Sequence, residues 1–167
     1  MIKTFNLLFV TIFGIGKLKP FPGSFGSLAT IMILYICFHK VKIDSNLILL
    51  GLIIIFLYSF IAISSYTKDK DNKDPGEIVV DEFLGQAIPI YLYEISHGTS
   101  KDPNEAIIFY TAFFILFRFF DILKPFPVSY FDKKHKNSFG VIMDDVCAGL
   151  YVVLVMISFM ILRNYIL

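Results

Sequence analysis

Residues 140–160 read GVIMDDVCAGLYVVLVMISFM, two adjacent aspartates running straight into an apolar stretch. A bilayer's hydrocarbon core takes about 20 residues of helix to cross. The pattern predicts a membrane helix over residues 146–162, with Asp144 and Asp145 in its first turn. Acidic side chains inside a spanning segment cost roughly 2.5–3.5 kcal/mol each at its centre. A pair at the entrance therefore calls for a functional reason.

The rest of the 167-residue chain is of the same character, and its length suits one domain, residues 1–167. It is 56% hydrophobic with a mean hydropathy of +0.71, above the roughly 45–50% apolar usage of soluble domains. Phenylalanine alone contributes 19 residues. A net charge of +1 offers no surface for a polyanion, so a nucleic-acid partner is excluded. Cys37 and Cys147 read as small buried apolar residues, not as a disulfide framework. The N-terminal MIKTFNLLFVTIFGIG has the outline of a signal peptide. It runs into a dense Gly/Pro motif that cleavage would truncate, which predicts a retained helix at the membrane interface.

Five segments are candidates for crossing: residues 24–38, 45–67, 78–93, 106–123 and 146–162. The third is the weakest, with Asp81 and Glu82 in its first turns and Pro89 inside. If all five cross, the four polar clusters of the chain fall on one face: KLKPFPGSFGS, TKDKDNKDPGEIVVDE, RFFDILKPFP and GVIMDD. The expected fold class is thus an all-α polytopic membrane bundle with its polar motifs gathered on one side. That side carries Lys3, Lys17, Lys19, Lys68, Lys70, Lys73, Lys124, Lys133, Lys134 and Lys136, against Lys40, Lys42, Lys101 and Arg163 opposite. The positive-inside rule makes the cluster side cytoplasmic. His39 and His97 fall on the far side, and His135 in KKHKN reads as a solvated loop residue.

The chemistry lies in the acids. Asp74-Pro75 reads as a helix start with Asp as N-cap. A helix running on from there puts Glu77 and Asp81, spaced i, i+4, on one face. Glu77, Asp81, Glu82, Asp121, Asp144 and Asp145 then crowd one face at a low-dielectric boundary and repel one another unless a cation intervenes. Hard oxygen ligands without a Cys/His set suit Mg²⁺ or Mn²⁺. Arg118 and Lys124 flank Asp121 three residues either side in RFFDILK. On a helix the three are roughly in line, either as an ion pair with a snorkelling lysine or as a phosphate clamp. PGSFGS at residues 22–27 places Gly23, Ser24, Gly26 and Ser27 at a helix N-terminus, a natural anion site. No Walker motif is present, and neither a cysteine-phosphatase nor a haloacid-dehalogenase nucleophile is recognisable. A metal-activated water is the simplest nucleophile left.

GIGKLKPFPGSFGSL, DPGEIVVDEFLGQ, FRFFDILKPFPV and GVIMDDVCAGL resemble, in order and over nearly the whole chain, the signature blocks of bacterial phosphatidylglycerophosphatase A. Ser24 stands where Thr is common and Phe126 where Trp is common, changes that keep a hydroxyl and an aromatic ring. The resemblance implies a Mg²⁺-dependent phosphatase of the bacterial inner membrane whose site faces the cytoplasm. Its partner would be a phospholipid substrate, phosphatidylglycerophosphate, hydrolysed to phosphatidylglycerol and inorganic phosphate. On that footing Glu77, Asp81, Asp144 and Asp145 are expected to hold Mg²⁺. Asp121 or Glu82 would orient or deprotonate water. Arg118, Lys124 and residues 23–27 would neutralise the phosphoryl group, and Lys17 with Lys19 would meet the second phosphate of the head group. A phosphatase for another lipid phosphate is the near alternative. A non-catalytic ion-binding or scaffold protein is the distant one, disfavoured because the polar residues stop within a turn or two of one face.

Overall fold

The computed structural model is all-helical and describes residues 2–70, 72, 74–97 and 103–166. Lys73 and Lys101, which enter the charge bias, lie outside the described residues, as do the side chains of His97 and Arg163. Among the described residues the order is α1 (Ile2–Val10), α2 (Pro22–Tyr35), α3 (Ser45–Thr67), α4 (Val80–His97), α5 (Pro103–Leu123), α6 (Val128–Lys134) and α7 (Ser138–Ile166). A π-helical stretch, Ile36–Val41, prolongs α2. Among the described residues four helical segments are long and apolar enough to cross a membrane: Pro22–Val41, Ser45–Thr67, Asn104–Leu123 and Ser138–Leu162. Their large aliphatic residues stay exposed, as with Leu57 and Ile61 of α3 at 60% and 64%. Such outward faces are stable only against lipid.

The fifth long helix explains its own weak signal. α4 has 18 residues, about 27 Å of helix, and packs on α2, α3, α5 and α7 together. Neighbouring helices cover it where lipid covers the others. It can therefore carry Asp81, Glu82, Gln86 and Glu94 where a lipid-facing helix could not. Two apolar clusters flank it. One joins Tyr110, Phe113 and Phe117 of α5 to Ala148 and Val152 of α7. The other joins Ala62 and Ile63 of α3 to Leu84 and Ile142.

Glycine decides how α4 meets α7. A methyl group added at Gly85 would strike the Asp145 carbonyl, and one added at Gly149 would strike the Gly85 carbonyl. Only hydrogens fit between these backbones, as at the small-residue contacts typical of membrane helices. Gly85 lies one turn after Asp81 and Glu82, and Gly149 one turn after Asp145. The close crossing therefore sets those three carboxylates beside one another.

Two helix starts differ from the sequence reading. α7 begins at Ser138, because the Asn137 side chain accepts the Gly140 N–H at 3.1 Å and caps it. Asp144 and Asp145 consequently lie in its second turn. α4 begins at Val80 and not at Pro75. Residues 74–79 form a turn and an extended link held by the Val79 N–H donating to the Val10 carbonyl at 2.9 Å. Glu77 is outside the helix and shares no helical face with Asp81.

At the opposite end of the bundle His39, on the π-helical stretch, sits 3.1 Å from Glu94, which also accepts the Tyr110 hydroxyl at 2.8 Å. This buried group ties α2, α4 and α5 together far from the acids that α4 presents at its other end.

Gly149→Leu should lower thermal stability in detergent by about 1–3 kcal/mol through overpacking. A melting temperature equal to that of the wild type would show that the two backbones do not touch.

Candidate active site

The α4–α7 crossing builds the centre. Asp81, Glu82 and Asp145 each offer a carboxylate oxygen, and these atoms all lie within 4.8 Å of one another. Asp81 and Asp145 are buried, and Asp81 Oδ1, Glu82 Oε2 and Asp145 Oδ1 have no hydrogen-bond partner among the described residues. At an effective dielectric of about 20, two unit charges at that separation repel by roughly 3.5 kcal/mol. Three such pairs approach the whole stability of a folded domain, about 5–15 kcal/mol. The oxygens are hard, unpaired and convergent, a donor set that fits a hard divalent cation such as Mg²⁺ or Mn²⁺.

Cationic and backbone groups border this centre on one side. Arg118 Nη1 lies 2.7 Å from Asp121 Oδ2, and both side chains are largely buried. The Arg118 Nε–H is buried without a partner. A methyl group at Gly23 would meet the Glu82 carboxylate and come within 3.0 Å of Arg118 Nη1. Gly23 thus lets the first turn of α2, which begins at Pro22, reach the acids. Ser24 is half-buried beside it. Gly26 packs instead on Val79, and the Ser27 hydroxyl donates to the Gly23 carbonyl at 3.0 Å inside the helix.

The remaining predicted residues form two separate groups. α5 ends at Leu123, and Lys124 takes a left-handed conformation at φ 47° that swings it out of line with Arg118 and Asp121. Lys124 Nζ donates to Asp132 of α6 at 2.7 Å and to Asp144 at 3.1 Å. Lys124 thereby engages Asp144 Oδ2, while Asp144 Oδ1 accepts the Asp145 backbone N–H at 3.0 Å, and the side chain lines a polar cavity of about 180 Å³ with Asp74 and His135. Burial alone would push the Lys124 ammonium down, but the hydrogen bond to Asp132 and the Asp144 charge outweigh it and hold it above its ordinary value. The same Lys124 hydrogen bond holds the Asp132 carboxyl below its ordinary 3.8.

Glu77 accepts from Lys70 at 2.7 Å and from the Tyr66 hydroxyl. The Lys70 bond, then the Tyr66 bond, hold its carboxyl low. With exposed Lys17, and with Lys19, it borders a surface hollow of about 680 Å³.

From the sequence, the small residues Cys147-Ala148-Gly149 after the aspartate pair already suit close approach of another helix that brings its ligands near, but sequence reasoning does not single out Gly85 or Gln86. The signal for Gly85 is a glycine one turn after an acid in DEFLGQ, matching Gly149 in DDVCAG. Gln86 is buried with neither amide atom partnered, four residues after Glu82.

The family model of phosphatidylglycerophosphatase A matches residues 8–160, every part of this site included. The chain belongs to the phosphatidylglycerophosphatase A family. It is 38% identical over 146 residues to the phosphatidylglycerophosphatase A of Haemophilus influenzae, covering 87% of this chain and 83% of that one. To the Escherichia coli phosphatidylglycerophosphatase A it is 32% identical, over 82% of this chain and 73% of the other. A Bacteroides thetaiotaomicron protein provisionally named a phosphatidylinositol-3-phosphatase is 33% identical over 87% of each. No solved structure matches the chain significantly.

The Lys124–Asp132 pair carries a sign. A carboxyl held below 3.8 in the folded state stabilises the fold above that pH and ceases to do so as pH falls through its lowered value. Acid melting of the wild type should steepen below about pH 4, and Asp132→Asn should flatten that limb. Superimposable melting-versus-pH curves for the two would refute the pair's contribution.

Proposed function

We propose that this protein hydrolyses phosphatidylglycerophosphate to phosphatidylglycerol and inorganic phosphate, with Mg²⁺, at the cytoplasmic face of a bacterial inner membrane. The observation that carries the reading is the group of three unpartnered carboxylate oxygens on Asp81, Glu82 and Asp145, bordered by Arg118. Family membership supports the substrate, and the lysine bias of the sequence supports the orientation.

In this reading Asp81, Glu82 and Asp145 hold the cation. The ion, when bound, supplies charge neutralisation at the phosphoryl oxygens and lowers the cost of ionising water. Arg118 is fixed by Asp121 and donates to the phosphoryl oxygens from the side of Gly23. Gly23 brings the first turn of α2 to the same space, where a helix N-terminus favours an anion. Attack of a water oxygen on phosphorus breaks the ester bond to the glycerol oxygen. One proton leaves the water and one reaches the departing oxygen. Asp121 stands outside the three-carboxylate group and is the acid assigned to accept the first. Lys17 and Lys19, which line a surface hollow with Pro22 and Glu77, would meet the second phosphate. Asp144 with Lys124, and Glu77 with Lys70, brace the loops around the centre.

The test is phosphate release by purified full-length protein in detergent from phosphatidylglycerophosphate, phosphatidic acid and phosphatidylinositol 3-phosphate, with Mg²⁺ or EDTA. Release from the first lipid with Mg²⁺ and none with EDTA is expected. Asp145→Asn should lose at least about 100-fold, whereas Glu77→Gln, outside the centre, should lose less than about tenfold. Release confined to another lipid would overturn the substrate while keeping the chemistry. EDTA-resistant release would overturn the cation.

A further inference from the structure

Gln86 is fully buried, and among the described residues both its Oε1 and its Nε2 lack a hydrogen-bond partner. A buried amide with two unmet groups destabilises a fold relative to an apolar residue of similar size. Nothing in the apolar packing around α4 calls for it. Its position does. Gln86 follows Glu82 by four residues and Gly85 by one, so it lies on the face of Glu82, one turn deeper into the membrane. Helical side chains lean toward the helix N-terminus, which carries the Gln86 amide back over the turn holding Glu82. There Glu82 Oε2 is itself buried and unpartnered.

We propose that Gln86 belongs to the cation site and closes it on the membrane side. With the cation bound, its Nε2–H₂ would turn to donate to the Glu82 carboxylate, a bond that neither group makes in the metal-free chain, and its carbonyl oxygen would face the cation. Amide oxygens are suitable partners for hard divalent ions. A neutral amide adds such a partner without adding a fourth negative charge to three that already repel. Gln86 is in this respect a positioning residue, orienting Glu82 as outer partners orient metal-binding carboxylates. The inference rests on the proposed cation site and deepens it.

The two roles open to a buried glutamine predict opposite signs. If Gln86 served the fold alone, replacing it by an apolar residue would lower stability in the absence of metal and leave cation affinity unchanged. If it serves the cation, Gln86→Leu removes two unmet polar groups from the metal-free protein, so its melting temperature in EDTA should equal or exceed the wild type's. Mn²⁺ binding, read by electron paramagnetic resonance on full-length protein in detergent and by Mg²⁺ competition, should weaken by about 10–100-fold. The rise in melting temperature on adding Mg²⁺ should shrink with it. Gln86→Met, closer in shape, supplies the same comparison should Gln86→Leu fail to fold. Wild-type affinity in either folded variant, or a lower melting temperature in EDTA, would overturn the proposal. Absence of Mn²⁺ binding to the wild type would overturn the cation site itself, a result distinguishable because it needs no variant.

Discussion

Gly85 of α4 and Gly149 of α7 touch backbone to backbone, and the placement of the site follows from that contact. In a membrane the apolar effect does not press helices together, since lipid tails are as apolar as leucine. Close approach then depends on small residues that let two backbones gain dispersion contact. Here the glycines fall one turn after the acids on each helix, so the packing that joins the helices also joins the carboxylates. The fold and the site share one cause.

The acids of this face sort by what neutralises them. Glu77 has Lys70 and Tyr66, while Asp144 and Asp132 share Lys124. Asp121 has Arg118. Those groups are paired within the chain and need nothing further. Asp81, Glu82 and Asp145 each keep an unpartnered oxygen. Burial makes that state costly, and repulsion over less than 5 Å makes it costlier. A cation is therefore called for by the carboxylates the protein leaves unpaired, not by those it pairs.

α4 shows why this chemistry sits inside a bundle. A helix bearing two acids in its first turn, a proline, a glutamine and a second buried glutamate would be a poor lipid-facing span. Enclosed by four other helices it is protected, and each polar group has a protein environment. The outer helices carry the exposed leucines and isoleucines that lipid requires.

Hydropathy, charge bias and motif order, all properties of local sequence, determined the all-helical membrane fold, the gathering of polar motifs on one face and the family. Each depends on residues a few positions apart, or on counts along the chain. Which acids meet was decided elsewhere. Glu77 left the expected group because the link before α4 bonds to Val10 instead of continuing as helix, a contact between residues far apart in the chain. Lys124 left the line of Arg118 and Asp121 because a left-handed residue turned it toward Asp132 and Asp144. Gln86 entered view only when burial showed that no described residue satisfied its amide. Burial and pairing belong to the packed arrangement of helices, and a pattern read along one strand of sequence contains neither.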